Sequence, residues 1–243
     1  MKFTGVSFWV AISVLFCACA GAVSETAGTT PPDADDTYVA PVQEGSASEV
    51  EISGLLGTIP QHKIENEIKS RWRHFEECYG EALEVLEEIE GSFEMAMEVD
   101  SNGDVTVAFL RSGNLGSSEA EQCFVSQMKR FSFPKPAGGG KAVISFPITL
   151  PAPYDHPKPF DWSGAKAHKV LSDNSADVER CLKGNGGVQL TLYVSTGGRV
   201  VSAGGTSDTY DMYEAALCIA DAAKSWKFPD PGPSRPAKVE IKF

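Results

Sequence analysis

The sequence predicts an α+β protein made of two tandem copies of one small domain. Three observations support this fold class: the second half of the 243-residue chain repeats the first, apolar residues recur at helical and strand periods, and each copy carries two cysteines. In each copy we expect the order helix, strand, strand, helix, strand, in which two helices pack on a small antiparallel sheet.

The repeat is found by adding 95 to the residue numbers of the first half. Residues 93–136 then align with 188–231 without a gap. The aligned pairs include a turn glycine, a cysteine and a Phe-Pro motif: Gly103 with Gly198, Cys123 with Cys218, and Phe133-Pro134 with Phe228-Pro229. Two further offsets are expected, 103 for Cys78 with Cys181 and 97 for Ile144 with Ile241. A period of this length indicates two structural repeats.

The first domain is predicted over residues 54–150, and its first element is a long amphipathic helix. Apolar residues from Ile64 to Leu86 recur every three or four positions, which is the period of a helix with one buried face. Thr58 is the expected N-cap and Pro60 suits the first turn.

A hairpin, a second helix and a last strand follow in the first domain. Alternating apolar residues predict two strands on either side of the turn at Asn102-Gly103. Ser118 and Glu121 form a capping-box pattern that would start the second helix. Residues 142–150 alternate again and predict the last strand.

The second domain is predicted over residues 164–243, after a Pro-rich linker at 151–163. Its first helix is expected to be interrupted at 172–175, where Ser-Asp-Asn-Ser breaks the apolar pattern. The remaining expected elements are hairpin strands at 187–194 and 199–203, a helix at 210–227 and a last strand at 237–243.

Residues 1–19 have the features of a signal peptide for export. An apolar run ends in Cys17-Ala18-Cys19, which resembles a lipoprotein signal and makes Cys19 the expected lipidation site. The alternatives left open are lipidation of Cys17, plain secretion with cleavage after Ala20 or Ala22, and an uncleaved anchor.

The charge and composition of the chain limit its partners. Residues 20–53 are polar and acidic, which predicts a disordered acidic tether. The formal net charge is −12, which disfavours binding to nucleic acid and to anionic membrane surfaces. We therefore expect the membrane to be contacted through the N-terminal lipid only.

The cysteines outside the leader predict two disulfide bonds. An exported chain meets an oxidising compartment in which disulfides persist. Four cysteines allow three pairings; the repeat selects Cys78 with Cys123 and Cys181 with Cys218, because each copy folds with its own pair.

The motifs of the sequence predict no catalytic residue, no cofactor and no metal site. Asp100, Asn102 and Asp104 resemble the start of a calcium loop, but Gly103 stands at the fourth position of that loop and no acid follows at the twelfth. A hairpin turn is the better interpretation. The four histidines share no metal-binding spacing.

Taken together, the motifs resemble the AgmX/PglI carboxy-terminal domain family, a relative of the TonB carboxy-terminal domain. The residues that carry the resemblance are Cys78-Tyr79, Asn102-Gly103, Cys123-Phe124-Val125 and Phe131 to Pro136 in the first copy, and Cys181, Gly197-Gly198, Cys218-Ile219 and Trp226 to Pro229 in the second. The resemblance implies helix-packed antiparallel sheets in a cell-envelope protein that acts by interaction and is not an enzyme. The cleavable leader and short tether depart from TonB-like energy transducers, so that function is less favoured.

The first functional hypothesis is a lipid-anchored interaction module of the periplasm, attached to the outer membrane; a secreted, soluble periplasmic protein is the alternative. It would bind envelope proteins by strand addition at the edge of each last strand. Pro147 would obstruct the first edge, which favours the second, formed by Lys238, Val239, Glu240, Ile241, Lys242 and Phe243. Lys238 and Lys242 would then meet an acidic extended peptide.

The rival hypothesis is a structural or assembly lipoprotein. Its two domains would pack on each other, or on a second copy of the chain.

Overall fold

Both halves of the chain contain the same series of elements: a broken helix, a β-hairpin, a second helix and a final strand. The computed structural model describes residues 57–152, 158–162, 164–232 and 235–243, with only the backbone at 164–166. The predicted signal peptide with Cys19 and the predicted tether lie outside these ranges. All of the described residues belong to one unit.

The first half forms a three-stranded antiparallel sheet covered by helices on one face. Its elements are α1 (Gln61–Ser70), α2 (Trp72–Val85), β1 (Gly91–Val99), β2 (Val105–Gly113), α3 (Ser118–Met128) and β3 (Ala142–Leu150). The strand order is β2-β1-β3. The rings of Phe75 and Phe93 both stack on Phe124, with centroids 5.5 and 5.0 Å away, so α2, β1 and α3 share one core.

The second half forms a four-stranded sheet in the order β4-β7-β5-β6. Its elements are β4 (Phe160–Asp161), α4 (Gly164–Asp173), α5 (Ser175–Cys181), β5 (Val188–Val194), β6 (Val200–Ser207), α6 (Tyr210–Ala223) and β7 (Ala237–Lys242). The two-residue strand β4 was not predicted; it lies in the expected linker and pairs parallel with β7. The described chain is thus α+β, as predicted.

The first helix of each half breaks at an equivalent residue. α1 ends at Ser70, and Arg71 has a φ of −114°; its counterpart at the offset of 103, Asn174, has a φ of −117°. The break at Asn174 is the predicted one, whereas the prediction of one continuous first helix is wrong. The predicted N-cap Thr58 is also wrong, because the helix begins at Gln61 and Thr58 pairs with Ala137 in an isolated bridge.

The last strands of the two halves share the main offset of 95. Met97 pairs with Ile144 in the first sheet, and Leu192 pairs with Val239 in the second. Ile144 therefore corresponds to Val239, and the expected offset of 97 is wrong. The strand pairings therefore show a single offset of 95 from the hairpin to the last strand.

The repeated glycine and the repeated Phe-Pro motif are two parts of one contact. Gly103 and Gly198 occupy the hairpin turns at φ values of +99° and +73°, where glycine is favoured. The amide of Phe133 donates to the carbonyl of Gly103 at 2.9 Å, and the amide of Phe228 donates to that of Gly198 at 2.9 Å. A Cβ at either glycine would collide with the carbonyl oxygen of the phenylalanine, so this approach requires glycine.

Both predicted disulfide bonds are present in the structure. Cys78–Cys123 joins α2 to α3, and Cys181–Cys218 joins α5 to α6. Each bond ties the broken helix of one half to the second helix of the same half. Two disulfides of this kind fit a protein of an oxidising, non-cytoplasmic compartment.

Candidate functional site

The two halves pack against each other in a reciprocal way. β2 lies against β6 and α3 against α6, while α3 also contacts β6 and α6 contacts β2. Because α3 and β2 correspond to α6 and β6 in the repeat, this is the contact pattern of a two-fold homodimer, formed here within one chain. We call it the inter-half contact.

The first side of the inter-half contact is aromatic. Along β2, Leu110 faces the core of its own half, whereas Phe109 points to the opposite face of the sheet. The ring of Phe109 lies 5.9 Å from that of Tyr210 and 6.2 Å from that of Tyr213, both on α6. α6 therefore covers part of the first sheet's outer face.

The second side of the contact is built around a buried carboxyl group, that of Glu121 on α3. Its side chain is fully buried, with one oxygen accepting from the amide of Gly116 at 3.2 Å and the other from that of Gly205 on β6 at 2.8 Å. Gly204 makes room for it, because a Cβ there would collide with the carboxyl group. Burial raises the pKa of Glu121 to about 8, against the opposing effect of the backbone hydrogen bonds from Gly205, Gly116 and Ser117.

This position of Glu121 corrects the predicted capping box. The N-cap of α3 is Ser117, not Ser118, and its hydroxyl oxygen accepts from the amide of Ala120 at 3.3 Å. Glu121 accepts from the amides of the N-cap Ser117 and of Gly116 before it, and it also extends to the amide of Gly205 in the second half. The short pattern Ser-x-x-Glu therefore predicted the start of the helix to within one residue, but it did not predict the contact of the glutamate with the second half.

A loop of the first half covers the outer face of the second sheet. The hydroxyl of Ser202 donates to the carbonyl of Gly116 at 2.7 Å. Gly116 has a φ of +77°, and a Cβ there would lie 2.9 Å from the side chains of Thr191 and Tyr193. Those two β5 residues face away from their own helices, yet both are buried. They are buried because the first half lies over them.

Lys238 takes part in the same contact through Glu90. Its ammonium group donates to the carbonyl of Glu90 at 2.7 Å and lies 5.6 Å from the centre of the Tyr193 ring. The hydroxyl of Tyr193 also donates to the carbonyl of Glu90, at 3.0 Å, and Lys158 pairs with the Glu90 carboxylate at 3.2 Å. Burial lowers the pKa of Lys238, in accord with an ammonium group held between the halves.

These contacts correct the prediction of an open binding edge for the start of the last strand of the second half. β7 lies inside its sheet, its first two residues pair with β4, and the amide of Trp162 donates to the carbonyl of Lys238 at 2.8 Å. Lys238 is buried rather than solvent-facing. The other predicted binding residues divide as follows: Val239 and Ile241 are core residues, Glu240 accepts from Asn114 and Gln189, Lys242 is exposed, and Phe243 is half-buried.

A longer open sheet edge is offered by β3, which within the described ranges pairs only with β1. The pairing with β1 runs through Pro147 without a shift in register. A proline in an edge strand is tolerated when its nitrogen faces outward, so the nitrogen of Pro147 is expected to face away from β1. Because proline has no N–H, the outer side of β3 lacks one hydrogen-bond donor at this position. Val143, four residues earlier, shares that orientation and is 37% exposed. The residues before Pro147 therefore form the longer uninterrupted part of the edge.

The acidic turn residues serve the hairpin. The carboxylate of Asp100 accepts from the amides of Asn102 at 2.8 Å and Asp104 at 3.0 Å, and these backbone hydrogen bonds lower the pKa of Asp100. In the part of the chain that the structure describes, no group of three or more His, Cys, Asp or Glu side chains is arranged to hold a metal ion. No helix in the same ranges is long and apolar enough to cross a membrane.

Two differences between the repeats mark the inter-half contact in the sequence. Glu121 aligns with Ala216, and Phe109 aligns with Gly204. Each pair joins a large side chain to a small one, and all four residues lie at or beside the contact. A residue-by-residue comparison of the two copies could therefore have indicated the inter-half contact from the sequence.

Comparison with known proteins returns no relative. No protein-family model matches the chain, and neither a curated protein nor a solved structure matches it.

Proposed function

We propose that the chain is a non-catalytic protein-interaction module of the cell envelope that binds an extended segment of a partner at the outer edge of β3. The observation that carries this proposal is the outer side of β3, which no strand of the described ranges pairs with, in contrast to the β4-covered start of β7. Strand addition to such an edge gains affinity from backbone hydrogen bonds. Pro147 restricts pairing to the residues before it, so the partner segment is short, and an apolar side chain on it would contact Val143.

We further propose that the chain is exported to the periplasm and anchored in the outer membrane by a lipid on Cys19. The lipoprotein-like leader and the resemblance of the motifs to the AgmX/PglI domain family support this, and the two disulfides fit the compartment. The tether at 20–53 would then separate the folded halves from the membrane. A soluble periplasmic protein remains the alternative.

A structural or assembly role is the second candidate, and one observation favours it. The two halves bury Lys238, Tyr193 and Glu121 against each other, so part of the surface predicted to bind a partner is used within the chain. On this hypothesis β3 would pair with β3 of a second copy. Light scattering distinguishes the two candidates, because only self-pairing gives a concentration-dependent mass.

Replacing Val143 by proline tests strand addition. Val143→Pro removes an outward-facing amide and places a ring in the path of an added strand, while the pairing with β1 is kept. Val143→Thr is the matched control, because it keeps the amide and a β-branched side chain. Extended peptides selected from a displayed library on the unaltered chain are then measured against both variants by calorimetry.

We expect the peptides to bind the threonine variant and to lose binding, by tenfold or more, to the proline variant. The thermal midpoint of either variant is expected to fall by less than about 4 °C. Peptides that bind the proline variant as tightly as the unaltered chain would show that β3 is not the binding edge.

A further inference from the structure

The carboxyl group of Glu121 is the most deeply buried acid of the inter-half contact. It lies on the first half, yet its shorter hydrogen bond, 2.8 Å, is to the amide of Gly205 on the second half. Gly204 and Gly205 together form the surface on which it rests. Separating α3 from β6 would expose this carboxyl group to water, and closing the contact dehydrates it again.

Among the described residues, the groups that face Glu121 offer it no cation. β6 presents the backbone of its two glycines, and the loop before α3 presents the amides of Gly116 and Ser117. From α6 comes Tyr213, whose buried hydroxyl has no hydrogen-bond partner within the described ranges, and from β5 comes Tyr193. Burial and, to a smaller extent, the charge on Glu121 raise the pKa of both tyrosines.

The nearest charges form a separate pair at the rim of the contact. Lys224 on α6 pairs with Glu119 on α3 at 2.6 Å and also lies 3.9 Å from Asp221. Although burial opposes the shift, Lys224 lowers the pKa of Glu119. Among the described residues the structure gives Glu121 itself no ion pair, so its charge would be compensated only by the backbone amides of Gly205, Gly116 and Ser117.

We propose that Glu121 is a proton-controlled latch between the two halves: its neutral carboxyl group keeps α3 docked on β6, and its carboxylate loosens that contact. This inference is independent of which partner β3 binds. It adds regulation, since the surroundings of an exported protein can change in pH. The opening would expose the outer face of the second sheet at Thr191 and Tyr193.

The sign of the pH effect follows from linkage. An exposed glutamate ionises near pH 4.3, whereas burial raises the pKa of docked Glu121 to about 8. Between these values the docked state holds a proton that the open state has released, so docking weakens by about tenfold per pH unit. The protonated Glu121 carboxyl group therefore contributes fully to docking below about pH 4.3. This contribution is lost as the pH rises through the pKa of the docked state, about 8.

The experiment follows the full chain by NMR with ¹⁵N-labelled glycine and leucine. The amide resonances of Gly116 and Gly205 are recorded between pH 5 and 9.5, and hydrogen-exchange protection of Gly205 is compared with that of Leu190 in the second core. We expect the two glycine amides to titrate together with a midpoint near 8. Protection at Gly205 relative to Leu190 is expected to fall about a hundredfold from pH 5 to pH 7.

Two glutamine variants separate the latch from a general effect of acidic residues. Glu121→Gln is expected to hold the relative protection of Gly205 constant, within about threefold, over the same range. Glu119→Gln, on the same helix and at the rim of the same contact, is expected to keep the pH dependence of the unaltered chain. If Glu121→Gln fails to fold, the titration of the two amides in the unaltered chain still decides.

Three outcomes would overturn the latch. The first is a midpoint of the glycine amides below pH 6. The second is relative protection of Gly205 in the unaltered chain that does not change with pH. The third is an equal pH dependence in the Glu121→Gln variant.

Discussion

At the scale of single residues, the two copies of the repeat differ most informatively where their side chains meet. Lys238 aligns with Val143 once the offset of 95 is applied. Val143 stands on the open edge, whereas Lys238 is buried against the carbonyl of Glu90. Equivalent positions of the two last strands therefore have opposite roles: Val143 faces solvent, whereas Lys238 contacts the other half of the same chain.

Reversing the charge of Lys238 should destabilise the protein. Lys238→Glu would replace a donor by a carboxylate facing the carbonyl oxygen of Glu90, with an expected loss of about 3 kcal/mol in the free energy of unfolding. Lys242→Glu is the matched control on the same strand; because Lys242 is exposed, its expected effect is below about 0.5 kcal/mol. Urea denaturation measures both, and equal effects would contradict the buried role of Lys238.

Residues whose contacts lie within one copy of the repeat were predicted well, whereas the contacts of Glu121 and Lys238 with the other copy were not. The turn glycines and both cysteine pairs follow from the repeat. Glu121 matched a local capping pattern, but its deciding partner, Gly205, lies 84 residues away. No periodicity within α3 could show that contact, because it depends on how the two halves dock.

At the scale of elements, the same contrast separates β3 from the first helix. Regular alternation of apolar residues predicted β3 with the bounds that it has, Ala142–Leu150. The break at Arg71 has no glycine or proline to announce it, so the period alone predicted a continuous helix. β4 consists of two residues, which is too short for any periodic pattern, and it covers the outer side of β7 at Ala237 and Lys238.

The two disulfide bonds should differ in how easily they are reduced. Cys218 is exposed, whereas Cys123 is only partly exposed and both of their partners are buried. Because thiol exchange requires access to a sulfur, limiting dithiothreitol on the folded protein is expected to open Cys181–Cys218 first. Alkylation followed by mass spectrometry identifies the bond, and prior opening of Cys78–Cys123 would contradict the expectation.

Loss of either bond should destabilise its half to a similar extent. The sequence separations are 45 residues for Cys78–Cys123 and 37 for Cys181–Cys218. The loop-entropy relation gives about 4 kcal/mol for each. The difference between the bonds is therefore expected in their rates of reduction rather than in their contributions to stability.

At the scale of the whole molecule, the two halves should hold together without a covalent link. Neither disulfide joins them, but Phe109, Glu121 and Lys238 all contact the opposite half. A protease site placed within residues 153–157 would cut the chain between the halves. We expect the cut halves to co-elute from a sizing column at pH 6 and to separate in urea; separate elution at pH 6 would show that the inter-half contact needs the link.

The reciprocal inter-half contact has a consequence for the history of the chain. A contact with two-fold character inside one polypeptide is what fusion of a self-associating ancestor would leave. After fusion, the link holds the halves at an effective concentration of the order of millimolar, so the contact stays formed even where separate copies would dissociate.

Such a fusion would also free the two copies to become unlike each other. In a pairing of two first halves, Glu121 would meet Phe109 and Leu110 where it now meets Gly204 and Gly205. The carboxyl group would then have neither the space nor the amide that it uses. The first halves of two different chains are therefore not expected to form this contact with each other.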